Sequence, residues 1–97
     1  MPTYVTLYSW TEQGIKNFRD TTERAKAAIA QAEKMGGKIT QFLWTSGQYD
    51  LVGIADFPDD ATVSAFNLAL SSLGNVRSTT MRAYNDREMA AIIAKAR

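Results

Sequence analysis

Neither cysteine nor histidine occurs among the 97 residues. Without thiols there is no disulfide and no thiolate nucleophile. Without imidazole there is no histidine base, no Ser/His/Asp triad and none of the usual ligand sets for zinc, copper or haem. An excess of charge of either sign is missing too: 11 basic residues face 10 acidic ones, a net charge of +1. The positives are scattered, so no basic stripe marks a nucleic-acid partner. No apolar run reaches membrane-spanning length, and Met1-Pro2-Thr3-Tyr4-Val5 does not open a basic region followed by an apolar one. These features point to a soluble cytoplasmic protein without a membrane partner. There is no GxGxxG and no phosphate loop. The carboxylates are too dispersed to nominate a metal site, and Asp59-Asp60 suits a helix cap better than calcium. No metal and no cofactor are expected, and no catalytic residue can be named.

What is present is a regular alternation of patterns. Residues 4–10 read as a strand, with Val5 and Leu7 on one side and Tyr4, Thr6, Tyr8 and Trp10 on the other. Thr11 to Gly14 breaks that pattern and caps a short helical turn carrying Ile15 and Phe18 inward. The main helix starts at Asp20 or Thr21, with Asp20 and Glu23 at capping-box spacing. Ala25, Ala28, Ile29 and Ala32 give it a stripe of mostly small residues, and Gly36-Gly37 ends it. Its charged residues Arg24, Lys26, Glu33 and Lys34 read as a solvated face. Residues 38–45 form a second strand, with Thr40, Phe42 and Trp44 on one side. Residues 51–57 are nearly all apolar, as in a central strand covered on both faces. Asp59 caps a second helix whose Val63, Phe66, Leu70 and Leu73 recur at helical spacing until Gly74. Residues 76–84 make a more polar strand fit for a sheet edge. Asn85 to Glu88 caps a short last helix with Met89, Ile92, Ile93 and Ala96 along one side.

The order is βαββαβ plus a C-terminal helix, in one domain over residues 1–97. Two helical crossovers around a central hairpin give the α+β, ferredoxin-like arrangement: an antiparallel sheet with both long helices on one face. Tyr4, Tyr8, Trp10, Phe42 and Trp44 are more large apolar surface than one helix-covered face absorbs. Part of that set is therefore expected against a second subunit, in a homodimer or higher oligomer joined through the sheet face as a dimeric α/β barrel.

The central hairpin, residues 45–51, carries Gly47, Gln48, Tyr49 and Asp50. With Gly14-Ile15-Lys16-Asn17, Gly36-Gly37-Lys38, Pro58-Asp59-Asp60 and Leu73-Gly74-Asn75-Val76-Arg77, it resembles the GYD domain family in the right order over nearly the whole chain. The resemblance implies a dimeric α/β barrel of ferredoxin-like subunits. It implies no reaction and no catalytic residues. Effector domains of Lrp/AsnC regulators look similar in fold, but their helix-turn-helix is absent here.

Two readings of the hairpin stand side by side. In one, Gly47 supplies a positive φ, Tyr49 packs on the sheet and Asp50 accepts hydrogen bonds from the turn's own amides. In the other, Asp50 sits beside apolar surface as a base or as an acceptor for a ligand. A small apolar or aromatic ligand would lie between sheet and helices, with Tyr8, Trp10, Trp44, Gly47, Tyr49, Asp50 and Arg82 as candidate contacts. Arg77 and Arg82 differ in parity, so at most one points at a shared cavity. An inward Arg82 needs a carboxylate partner or an anionic ligand. The alternatives are a cofactor-independent oxygenase or isomerase, with Asp50, Asp56, Tyr8 and Arg82 as its candidate groups, and a structural self-association module.

Overall fold

The computed structural model describes residues 1–96. Its elements run β1 (Thr3–Trp10), α1 (Glu12–Lys16), a 3-10 turn (Phe18–Asp20), α2 (Thr21–Lys34), β2 (Lys38–Trp44), β3 (Leu51–Asp56), α3 (Asp60–Ser72), β4 (Val76–Ala83) and α4 (Asp86–Lys95). The sheet order is β2-β3-β1-β4, antiparallel throughout, which is the ferredoxin-like topology with β3 inside and β4 at an edge.

The helices start where short polar side chains meet free amides. Thr11, Asp59 and Asn85 each accept a hydrogen bond from the residue three positions on, and Asn85 with Glu88 completes a capping box. Asp20 makes no such bond, so the spacing of Asp20 and Glu23 is not a capping box; the 3-10 turn leads directly into α2 instead. Its C-terminal turn is followed by Gly36 at φ 84°, and α3 is followed by Gly74 at φ 87°. Gly47 has no positive φ, so the expected left-handed turn residue is not there.

The core lies at one end of the sheet's helix side. Tyr4, Ala28, Ala32, Phe57, Val63 and Phe66 are buried together, with Ile39, Ala55 and Leu70 packed against them. Ile39 joins this side because β2 carries a bulge. Ile39 and Gln41 oppose the adjacent residues Ala55 and Ile54, so Thr40 is the extra residue and parity changes at it. Simple alternation therefore places Ile39 on the wrong face.

Register fixes the two faces. Tyr4, Tyr8, Trp10, Phe42 and Trp44 all stand on the helix side, and Tyr4 and Tyr8 are buried within the single chain. The expectation that this aromatic set spills onto a subunit face is corrected. The face opposite the helices is aliphatic, with Val5, Leu7, Val52 and Ile54 at its centre and the exposed Leu43 and Met81 beside them. Among the described residues no element packs over it, so β3 is packed on one side only. Ile15 and Phe18 are also exposed instead of pointing inward, because α1 is pinned by its backbone and polar side chains, and Leu73 at the end of α3 is largely exposed as well. Along α4, Met89, Ile92 and Ile93 stay exposed as well.

A chain of polar groups crosses the packed side. Tyr8 Oη donates to Asn67 Oδ1 at 3.4 Å, Asn67 Nδ2 donates to Thr80 Oγ1 at 2.7 Å, and Thr80 Oγ1 lies 3.0 Å from Thr6 Oγ1. Thr6 and Asn67 are buried, and among the described residues every buried side-chain polar atom has a partner.

Candidate functional site

Beyond the core, the space between sheet and helices is not filled. A cavity of about 580 Å³ opens there, with Tyr8, Trp10 and Phe42 from the sheet, Ala25 and Ala28 from α2, and Phe66 from α3 in its wall. Two sequence choices create it. The facing surface of α2 is alanine, which lets the helix lie close but leaves no side chain to fill the gap. Gly53, in the middle of β3, leaves a saddle on the helix side. A Cβ there would lie 3.4 Å from the Tyr8 ring and 3.5 Å from Phe42, so the rings of β1 and β2 lean together across it, with centroids 6.0 Å apart. Trp44 stands edge-on to Phe42 at 5.7 Å. It is not part of the cavity wall, and its Nε1 donates to Thr21 Oγ1 at 3.0 Å.

The hairpin reaches the cavity indirectly. Asp50 N–H donates to Tyr8 O at 2.8 Å, and Asp50 Oδ2 accepts from Trp10 N–H at 2.8 Å. The carboxylate thus acts as one more rung of the ladder where β3 ends, and it grips the segment of β1 that carries two aromatic wall residues. The expected bonds from the turn's own amides give way to this grip on a neighbouring strand. The turn itself closes through Thr45 N–H to Asp50 O at 2.9 Å and Thr45 Oγ1 to Tyr49 O at 2.5 Å. A Cβ on Gly47 would meet nothing within 4 Å, and neither Gly47, Tyr49 nor Asp50 lines the cavity.

Asp50→Ala leaves Trp10 N–H without its acceptor, and a cost of about 1–3 kcal/mol is expected. Asp50→Asn keeps an oxygen there and is expected to cost less than about 1 kcal/mol. Urea unfolding of the two variants checks this order, and equal costs would refute the positioning role.

Arg82 is on the helix side, but at the Tyr4 end of the sheet, away from the cavity. It donates to Glu88 Oε2 at 3.2 Å and to the carbonyls of Thr3 and Ala83, and its guanidinium lies 4.6 Å from the Tyr84 ring centre. The carboxylate that an inward Arg82 requires is therefore supplied by α4. The bond from Asn85 N–H, and then the one from Arg82, hold the Glu88 carboxyl below its ordinary range. Asp56 accepts from Thr3 Oγ1 at 2.6 Å, outside the cavity wall. Burial pushes the Tyr8 phenol up to about 12, so at neutral pH it is a donor and not a base. The Tyr4 phenol also rises to about 12, chiefly through its 2.5 Å bond to Asp60.

Of the residues singled out in sequence, the structure brings Tyr8 and Trp10 to the cavity, and Asp50 to their backbone. Alternation pattern alone missed Phe66, Ala25 and Ala28 as wall residues, since it marks them only as core. It also missed Arg24, assigned to a solvated face, which is half-buried and lines the cavity four residues before Ala28. That helical spacing was the available signal. Among the described residues no cluster of three or more acidic side chains could hold a metal, and no helix is long and apolar enough to cross a membrane.

The GYD domain profile matches residues 4–93. The chain belongs to the GYD domain family. A curated relative from Thermus thermophilus, named glutamine synthetase and cystathionine beta-lyase binding protein, is 31% identical over 84 residues, covering 86% of this chain and 88% of the relative. That relative is thus named as a binding protein for other proteins. Solved structures repeat the fold at low identity. FFRP-DM1 superposes with a TM-score of 0.62 at 16% identity, covering 87% of this chain and 100% of the other. TTHA0845, also from Thermus thermophilus, gives 0.57 at 20% identity, covering 88% and 95%. The C-terminal domain of MgtC from Mycobacterium tuberculosis gives 0.57 at 13%, covering 84% and 86%.

Proposed function

We propose that this GYD domain is a ligand-binding module that works as a homodimer, taking a small apolar or aromatic molecule between sheet and helices. The observation that carries the reading is the cavity of about 580 Å³ walled by Tyr8, Trp10, Phe42 and Phe66, a size and character suited to small-molecule recognition. Leaving so much apolar wall empty is costly in a chain of 97 residues, where most stability comes from filling one core. The dimer is supported by the uncovered aliphatic face of Val5, Leu7, Val52 and Ile54, which a second sheet would remove from water. The same reading places the protein in the cytoplasm, where a fold without disulfides is at no disadvantage.

A second reading is favoured by a different feature. The apolar flank of α4, with Met89, Ile92 and Ile93 exposed, fits a protein partner, and the curated relative is named for binding two enzymes. In that reading the dimer is an adaptor and ligand occupancy is secondary.

Native mass spectrometry of freshly purified protein tests the first reading. Twice the chain mass is expected, with an added small molecule that organic solvent releases. A ligand-free monomer at micromolar concentration would overturn it.

A further inference from the structure

The cavity wall contains one formal charge. Of its residues only Arg24 is ionised at neutral pH, and no carboxylate lies among them. The two ion pairs among the described residues are Lys26 with Glu23 and Arg82 with Glu88, so Arg24 has no acidic partner there. The contrast with Arg82 is informative, because both arginines are half-buried and only one is neutralised. Arg24 is nevertheless held in place. Its Nη1 donates to Asn17 O at 2.7 Å and its Nη2 to Gly14 O at 3.3 Å. A guanidinium carries five N–H donors, so these two carbonyls leave others free. Beside it on the cavity wall, the Thr21 hydroxyl accepts from Trp44 Nε1 and keeps its own proton to donate.

From this juxtaposition we propose that the cavity takes an aromatic carboxylate, its ring against Tyr8, Trp10 and Phe42 and its carboxylate on Arg24. The proposal rests on the ligand-binding reading above and names the class of ligand. A cationic ligand would meet a fixed positive charge at the half-buried wall. A neutral one would bring no opposite charge to it. A carboxylate gains charge-assisted hydrogen bonds, about twice as strong as neutral ones, from a group already immobilised by the protein. The aromatic wall and the flat alanine surface of α2 set the shape of the rest of the molecule.

Calorimetry at low salt on the full chain tests it with two probes of the same ring and shape, 1-naphthylacetate and the uncharged 1-naphthylacetamide. The wild type is expected to bind the acid at least about tenfold more tightly than the amide. Arg24→Gln should bring the acid down to the level of the amide while leaving the amide within about twofold, which also shows that the variant is folded. Ala69→Phe, at an exposed wall position on α3, should weaken both probes. Equal binding of acid and amide to the wild type, or an equal loss of both in Arg24→Gln, would overturn the role of Arg24. If Ala69→Phe still blocks the amide in that case, the ligand-binding reading stands without it. No binding of either probe would overturn both.

Discussion

Phe57→Ala is expected to cost about 3–5 kcal/mol, a large share of the roughly 5–15 kcal/mol that holds a domain of this size together. Phe57 follows β3, is 1% exposed, and packs on Phe66 with the rings tilted at 38° and their centroids 5.3 Å apart. Its ring also lies so close to Gly37 that a Cβ there would come within 2.5 Å of it. The chain cannot collapse into the resulting hole, because the strand before Phe57 is tied to β1 and the Phe57 N–H donates to Pro2 O at 3.1 Å. Urea unfolding is expected to show a much lower midpoint with an unchanged slope. A loss under about 1 kcal/mol would mean that the core centre lies elsewhere. Since the cavity already removes packing from the other end of the sandwich, the core around Phe57 has little reserve.

Gly14→Ala is expected to be a damaging conservative change at a buried position packed on Asn75, next to the cavity wall. Helix propensity alone predicts a gain of about 1 kcal/mol for alanine within α1. Space decides otherwise. The new Cβ would stand 2.0 Å from Asn75 O, a backbone atom that also accepts the Thr11 amide at 3.1 Å. Nothing flexible can give way. The clasp around it, with Thr11 Oγ1 on Gly74 O at 2.5 Å and Gln13 Nε2 on Leu73 O at 3.0 Å, would have to open. A loss of roughly 1–3 kcal/mol from strain, plus part of the clasp, is expected. Because Asn75 and Val76 belong to the cavity wall, naphthylacetamide binding should weaken as well. A thermal midpoint equal to or above wild type would refute the clash.

Much of the fold was legible in the sequence because its signals are local. Caps at Thr11, Asp59 and Asn85, glycine stops after α2 and α3, and the run from Leu51 each announce one element. Faces were less legible. The bulge at Thr40 depends on pairing with β3, and no count along β2 reveals it. The aromatic set looked too large for one face because the room left by Gly53 and the alanines of α2 has no periodicity of its own. The site was half legible for the same reason. Tyr8 and Trp10 stand out by type, whereas the cavity is an absence shared between all four strands and two helices. Asp50 stood out too, yet its role is to grip a strand distant in sequence, which chemistry at one position does not disclose.

The polar chain from Tyr8 through Asn67 and Thr80 to Thr6 has a consequence for how such a loosely filled interior settles on one arrangement. Apolar side chains at the cavity end discriminate poorly between registers, since sliding them costs little contact. Hydroxyls and an amide do discriminate. Slipping β4 by one residue past β1 would turn Thr80 to the opposite face and take from the buried Thr6 hydroxyl and the Asn67 amide nitrogen the partner they share. This polar chain therefore works as a combination lock on strand register, and it lets the domain carry a cavity beside its core without losing a unique fold.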